Sequence, residues 1–130
     1  MTIGELVRAH IKKIFHYCDT VDHEELARLM DEAYSKKKFG IYYPFCTEVF
    51  LIPQERSTRY WRATYVVRGK TVRVCSQWYS RDRPLFTQYL LTKNIATEDD
   101  LVKMSKMVKT GDQYMTHVTF RTKRYLLLLD

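Results

Sequence analysis

The amino-acid sequence predicts an α+β fold: a helical hairpin at the N-terminus, a small antiparallel sheet with a central basic β-hairpin, two further helices and a C-terminal strand. Apolar residues recur at helical spacing over residues 3–18 and 23–36. Two alternating runs, 59–67 and 70–78, flank the pair Arg68-Gly69 as the arms of a hairpin flank its turn. The length of 130 residues lies within the range of about 100–200 that is typical of one domain, so a single domain over 1–130 is expected.

Both N-terminal helices begin with capping signals. Thr2 stands three residues before Glu5, and Asp22 stands three before Glu25, which is the spacing at which side chains satisfy the first amides of a helix. Helices are therefore predicted from about residue 3 to 18 and from about 23 to 36. Gly40, which follows a run of lysines, is expected to stop the second helix, because glycine tolerates the left-handed conformation that ends helices.

The sheet is predicted from one short strand, Thr47–Ile52, and from the hairpin. An even loop pairs Tyr65 with Val72, and the same register pairs Ala63 with Val74 and Trp61 with Ser76. This register gives an apolar face (Trp61, Ala63, Tyr65, Val67, Val72, Val74, Trp78) opposite a polar face (Tyr60, Arg62, Thr64, Thr71, Arg73, Gln77, Tyr79). A slip of one residue would mix the faces. A type I′ turn and a four-residue turn with Gly69 at positive φ both fit this facing.

Two helices and a strand are predicted after the hairpin. Pro84 suits the first turn of a helix that ends near Asn94, and Thr97 with the acids that follow it begins another helix. Residues 114–121 alternate as a strand does. Tyr125–Leu129 is apolar without periodicity, so it is either a buried strand or a docking tail.

The positive charge of the chain is concentrated in its middle. Residues 33–97 carry twelve basic and three acidic side chains, a net +9, whereas residues 1–32 carry −3 and residues 98–130 carry +1. A localised basic region is the footprint of a protein that binds a polyanion, because neutralising phosphates releases their counterions. The alternative is a solvated basic surface without a ligand.

The sequence has no recognisable catalytic motif, so we expect no enzyme activity, no cofactor and no metal site. The four histidines and three cysteines lack metal-ligand spacing. Cys18 and Cys75 are expected in the core as small apolar residues. A metal-dependent nuclease is kept as a third interpretation, because Glu48 and Glu55 near Lys70 supply two acids and a lysine.

The basic hairpin carries the candidate nucleic-acid-binding residues. Arginine can donate two parallel hydrogen bonds to a phosphate, exposed tyrosines can stack on bases, and a two-stranded ribbon can enter a major groove. The candidates are Arg59, Tyr60, Arg62, Arg68, Lys70, Arg73, Gln77, Tyr79, Arg81 and Arg83, with Lys36, Lys37 and Lys38 as secondary basic contacts. In the competing interpretation the tyrosines pack under neighbouring elements and the arginines pair with the three acids of the region. Trp61 and Trp78 are expected to be core anchors.

Several short stretches resemble an accessory segment of bacterial restriction and phage-defence proteins. They are Ala33–Ile41, Arg59-Tyr60-Trp61, Gly69-Lys70 and Val74–Tyr79, with Phe86 and Tyr89 on the short helix that follows. The resemblance covers roughly residues 26–91 and includes no catalytic motif. It implies an association with DNA-directed defence systems.

These features favour a non-enzymatic nucleic-acid-binding module, with DNA rather than RNA as its ligand. The alternative is a protein–protein adaptor or inhibitor of a bacterial or phage defence system, which docks on a nucleic-acid-binding partner through Tyr125–Leu129 and Tyr42–Phe45. The N-terminus lacks a basic stretch followed by an apolar core, and the longest apolar run is Leu126–Leu129. A cytoplasmic protein that does not contact a membrane is therefore expected.

Overall fold

The computed structural model describes the backbone of residues 1–108 and the side chains of residues 1–104. The predicted α+β class is confirmed. The helices are α1 (Ile3–Thr20), α2 (Glu25–Leu29), α3 (Glu32–Phe39), α4 (Arg83–Thr92) and α5 (Glu98–Val108), and the strands are β1 (Cys46–Glu48), β2 (Tyr65–Val67) and β3 (Lys70–Val74). No helix within residues 1–108 is long and apolar enough to cross a membrane. The predicted C-terminal strand and Tyr125–Leu129 lie outside the described residues.

The chain divides into two compact units. The first, here called the hairpin unit, is Ala9–Trp78 and contains α2, α3 and the sheet. The second, here called the terminal unit, combines Met1–Arg8 with the described residues from Tyr79 onward and contains α4 and α5. The single domain expected from the chain length stays a prediction.

The capping signals of the terminal unit are formed as predicted. The amide of Thr2 donates to Oε1 of Glu5 at 2.7 Å, and the amide of Glu5 donates to Oγ1 of Thr2 at 3.2 Å. The bond from the Thr2 amide is the largest cause of a lowered pKa at Glu5. Thr97 and Asp100 exchange the same pair of bonds at the start of α5, at 3.2 and 3.1 Å. Both pairs satisfy amides that have no partner inside the helix.

The predicted second helix is wrong in one respect, because it is broken into α2 and α3. Asp31 adopts an extended conformation with ψ of 129°, and its Oδ2 accepts a hydrogen bond from the amide of Tyr34 at 2.8 Å. An aspartate in this position caps a new helix and so competes with continuation of the old one. Gly40 ends α3 at φ 83°, as expected from the sequence.

The sheet contains three antiparallel strands in the order β1–β3–β2. Cys46 pairs with Val74 and Glu48 with Val72, which places β3 in the centre. The predicted strand Thr47–Ile52 is therefore wrong beyond Glu48. Val49–Leu51 instead forms a 3₁₀ helix that buries none of its side chains.

The hairpin turn follows the predicted register. Tyr65 pairs with Val72 and Val67 with Lys70, as an even loop requires. Arg68 and Gly69 have φ of 51° and 77°, so of the two turns left open by the sequence the two-residue type I′ turn is the one formed. Asp19 stabilises it, because its Oδ1 accepts a hydrogen bond from the amide of Arg68 at 3.1 Å.

Away from the turn, the predicted register is wrong. Ala63 and Trp61 do not pair with Val74 and Ser76; the chain leaves the ladder over residues 61–64 and rejoins it at a bridge between Tyr60 and Cys75. Four residues on this arm therefore lie opposite two on the other, and the alternation of faces is lost. Tyr60 is buried at 6% exposure, although the sequence placed it on the polar face, and Ala63 is exposed.

An aromatic cluster fills the core of the hairpin unit. Phe39, Phe45 and Trp78 contact one another with ring centroids 5.1 to 6.1 Å apart, and Phe15 extends the cluster towards Tyr65 at 5.6 Å. Trp78 donates from its indole nitrogen to the carbonyl oxygen of Cys75 at 2.7 Å, which satisfies the one polar atom of its ring. Trp78 therefore packs in this aromatic cluster, although it is half-buried and not fully enclosed as the sequence suggested.

Candidate nucleic-acid interface

The guanidinium of Arg73 is engaged within the hairpin unit. Its Nε donates to the carbonyl oxygen of Trp61 at 2.8 Å, and its Nη2 donates to the carbonyl oxygens of Ser57 and Tyr60, both at 2.9 Å. The Trp61 carbonyl belongs to the stretch at which the chain leaves the ladder, and the Ser57 and Tyr60 carbonyls lie just before it, so Arg73 holds the irregular arm against β3. A side chain used in this way stabilises the fold, and we do not count it as a phosphate ligand.

Tyr60 is also structural. Its side chain is buried and its hydroxyl oxygen accepts a hydrogen bond from Oγ1 of Thr47 at 3.2 Å. Burial raises the pKa of Tyr60, which fits a phenol removed from water. A ring in this position is not available to stack on a base.

Three exposed arginines lie close together in the chain before the hairpin turn and are here called the basic rim: Arg56, Arg59 and Arg62. Arg56 and Arg59 lie on one 3₁₀ helix, Gln54–Arg59, and each guanidinium is 5.8 Å from the ring centroid of Tyr43. Residues three apart share a face in such a helix, so the sequence spacing could have revealed Arg56, which our candidate set omitted. Nη1 of Arg59 also donates to Oε1 of Gln77 at 3.3 Å, which joins two predicted site residues.

A groove of about 710 Å³ lies beside this rim within the hairpin unit. Arg62 lines it together with half-buried Trp61, so Trp61 is less enclosed than the core anchor expected from the sequence. The other lining residues are mainly hydroxyl-bearing: Val49, Ser57, Thr58, Tyr60, Thr64, Arg73 and Ser76. The groove adjoins Arg59 through the backbone, because the amide of Ser76 donates to the Arg59 carbonyl oxygen at 2.9 Å. An aromatic ring, hydroxyl groups and a cation thus meet in one concavity.

The cations at the hairpin tip are arranged differently. Arg68 is exposed at the turn, and its backbone is held by Asp19. Nζ of Lys70 lies 3.7 Å from Oε1 of Glu48 in an ion pair between the exposed lysine and a largely covered carboxylate. This pair reduces the charge that Lys70 can offer to a ligand.

Two of the three lysines in the last turn of α3 contact aromatic rings. Nζ of Lys36 is 5.4 Å from the ring centroid of Tyr42, and Nζ of Lys38 is 5.7 Å from that of Tyr34. Lys37 is exposed. These contacts are cation–π interactions of modest energy at a surface, which leaves the lysines as secondary basic positions.

Three predicted site residues belong to the terminal unit. Tyr79 is 54% exposed, and the guanidinium of Arg81 lies 5.0 Å from its ring centroid. Arg83 is buried at 9% exposure and donates from Nη2 to the carbonyl oxygen of Met1. Tyr79 and Arg81 therefore form a small exposed pair, whereas Arg83 ties the first residue of the chain to α4.

The nuclease interpretation requires acidic side chains that converge on a metal ion. Within the described side chains, no group of three His, Cys, Asp or Glu residues is arranged to hold a metal ion. Glu48 is paired with Lys70, and Glu55 is exposed on the 3₁₀ helix.

The cysteines Cys18, Cys46 and Cys75 are buried free thiols, and burial raises the pKa of Cys18 to about 12. A raised pKa disfavours the thiolate, which is the nucleophilic form of cysteine.

The surface expected to dock a protein is altered by the fold. Of the stretch Tyr42–Phe45, Tyr42 is 53% exposed but Phe45 is fully buried. A different apolar surface appears on the 3₁₀ helix after β1, where Phe50 and Leu51 are 79% and 58% exposed. The pattern of apolar residues could not reveal this surface, because it predicted a strand over Thr47–Ile52.

Comparison of the chain with protein-family models, with curated proteins and with solved structures finds no match in any of the three.

Proposed function

We propose that the hairpin unit binds nucleic acid, DNA in the first instance, through the basic rim and the groove beside it. The observation that carries this proposal is that the basic rim is not neutralised. Within the described part of the chain, none of Arg56, Arg59 and Arg62 forms an ion pair with a carboxylate. Guanidinium groups without a carboxylate partner retain donors for phosphate oxygens.

The neighbouring side chains suit the same ligand. The guanidinium groups of Arg56 and Arg59 each lie 5.8 Å from the ring centroid of Tyr43, and this contact lowers the conformational entropy that they lose on binding. Gln77 fixes Arg59 from a second side. Hydroxyl groups in the groove can donate to phosphate oxygens or to base edges, as in many nucleic-acid interfaces.

The test is fluorescence anisotropy with labelled single-stranded and duplex DNA and RNA, at about 0.05 and 0.2 M salt. Replacing Arg59 and Arg62 together by alanine should weaken binding and reduce the slope of log K against log salt by about 1 for each cation removed. The matched control is Lys12→Ala with Lys13→Ala, which removes the same charge from exposed positions of the same unit. Equal losses in the two double variants would mean that only net charge matters and would refute a located interface.

A second candidate function is supported by the exposed pair Phe50 and Leu51. Adjacent large apolar side chains at this exposure are typical of surfaces that dock another protein. In this role the chain would act as an adaptor or inhibitor in a defence system, in line with the segment that it resembles. Replacing both residues by serine should then abolish association with the partner, whereas the Arg59/Arg62 double variant should retain it. The reverse result would favour nucleic-acid binding alone.

A further inference from the structure

The geometry of the hairpin restricts how it can meet nucleic acid. A major groove admits a two-stranded ribbon, which must project from the protein to enter it. Here β3 is the central strand and is covered on one side by β1 over Cys46–Glu48. The turn is held as well, because Asp19 on α1 accepts a hydrogen bond from the amide of Arg68. The hairpin is therefore part of a packed sheet and not a projecting ribbon.

The groove offers a different mode of contact. Its volume of about 710 Å³ lies in the range of about 300–1000 Å³ found for pockets that hold small organic molecules. Half-buried Trp61 supplies a wide aromatic surface, Arg62 a cation, and Thr64 and Ser76 hydroxyl groups. A nucleobase with its own phosphate needs these same partners, namely a stacking surface, polar groups at its edge and a cation.

Bases inside a duplex cannot reach such a site, because both of their faces are covered by neighbouring base pairs. We propose that the groove accepts an unpaired base of a single-stranded nucleic acid, stacked on Trp61, with its phosphate at Arg62. This inference rests on the proposed nucleic-acid binding and adds to it the strandedness of the ligand and the residue that recognises the base. The backbone on either side of that base runs along the basic rim.

The irregular arm explains why Trp61 can serve in this way. In a regular ladder Trp61 would pair with Ser76 and point into the core, but the chain leaves the ladder over residues 61–64. Arg73 holds the Trp61 carbonyl oxygen at 2.8 Å, and the Trp61 amide donates to the Val74 carbonyl oxygen at 2.9 Å. The backbone of Trp61 is thus fixed from both sides, while its ring lines the groove.

Intrinsic fluorescence provides the direct test, because the chain contains two tryptophans. The variant Trp78→Phe leaves Trp61 as the only indole, and the probe is an oligothymidylate of about 12 nucleotides. We expect the oligonucleotide to quench the fluorescence of this variant. The complementary variant Trp61→Phe leaves as the only emitter Trp78, which does not line the groove, and should show no quenching. Quenching in Trp61→Phe, or its absence in Trp78→Phe when anisotropy reports binding, would overturn the inference.

Affinity measurements provide the second readout. Trp61→Leu should weaken binding of the oligothymidylate about tenfold, which corresponds to the loss of one stacked base, and should leave duplex binding unchanged. Trp61→Phe keeps an aromatic ring and should retain most of the affinity for the oligothymidylate. If Trp61→Leu does not fold, a large loss of affinity in Trp61→Phe would contradict stacking on this ring. Wild-type binding to duplex as tight as to the single strand would overturn the inference while leaving the proposed function intact. No binding to any nucleic acid at low salt would refute the proposed function itself and this inference with it.

Discussion

The Nε of Arg73 and the carbonyl oxygen of Trp61 are 2.8 Å apart and joined by a hydrogen bond. This bond connects the central strand to the arm of the hairpin at the point where the backbone ladder is interrupted. The same guanidinium also binds the carbonyl oxygens of Ser57 and Tyr60. One arginine thus supplies hydrogen bonds to the arm where the ladder is interrupted, beside the groove that this arginine helps to line.

Removing this arginine should destabilise the fold. We expect Arg73→Ala to lower the free energy of unfolding by about 2–4 kcal/mol, because three carbonyl groups lose a charged donor. Arg73→Lys should recover part of the loss, since an ammonium cannot reproduce the planar arrangement of donors. Urea denaturation followed by circular dichroism measures both. The control is Arg62→Ala, which removes an exposed arginine of the same unit and should change the free energy of unfolding by less than about 0.5 kcal/mol. Equal effects in the two alanine variants would contradict the structural role of Arg73.

The hairpin turn carries a conformational cost at Arg68. Its φ of 51° lies in the left-handed region, which asparagine tolerates better than arginine does. Arg68→Asn should therefore raise the free energy of unfolding by about 0.5–1 kcal/mol, measured by chemical denaturation. The amide of residue 68 still donates to Asp19 in this variant, so Asp19→Ala should destabilise wild type and variant alike. A loss of stability in Arg68→Asn would show that the arginine side chain makes a contact worth more than the backbone strain.

A buried carboxylate links α2 to α3 and makes stability sensitive to alkaline pH. Glu25 is fully buried; its Oε2 accepts a hydrogen bond from the hydroxyl of Tyr34 at 2.7 Å, and its Oε1 lies 3.0 Å from Nη1 of Arg28. Tyr34→Phe removes the hydroxyl donor and should lower the free energy of unfolding by about 1–3 kcal/mol at neutral pH. Thermal or urea denaturation measures the difference.

The hydroxyl of Tyr34 also makes the free energy of unfolding depend on pH. Burial first, and then the hydrogen bond to Glu25, raise the pKa of Tyr34 above its ordinary value of 10.0. The folded protein therefore keeps the phenol proton to higher pH than the unfolded chain does. The stabilisation from Tyr34 is complete below pH 10 and is lost progressively as the pH rises above it. Tyr34→Phe should lose less stability than wild type over that alkaline interval. Identical curves for wild type and Tyr34→Phe would refute the linkage.

The three buried thiols should be protected in the folded protein. Burial raises the pKa of Cys18 to about 12 and also raises the pKa of Cys46. We expect Cys18, Cys46 and Cys75 to resist a thiol-reactive disulfide reagent at pH 8 and to react together on unfolding. Val66→Cys is the matched control, since Val66 is 74% exposed and a thiol there should react at once. Reaction of any native cysteine at the rate of this control would contradict its burial.

Much of the local structure could be predicted from the sequence. The capping box at Thr2, the stop at Gly40 and the pairing of Tyr65 with Val72 depend on contacts between residues close in the chain. Their energies come from hydrogen bonds and backbone preferences that short sequence patterns encode. The break at Asp31 was missed, although aspartate is a good capping residue, because the apolar periodicity continues through it.

The sequence by itself determined the α+β class, the hairpin turn and the concentration of positive charge between residues 33 and 97. Only the tertiary structure decided which of those charges are used inside the fold and which remain exposed. Arg73 is used by three carbonyl oxygens and Lys70 by Glu48, whereas Arg62 lines an open groove beside Trp61. The reason is physical: a guanidinium binds whichever acceptors surround it, and those acceptors come from chain segments whose proximity no local pattern specifies.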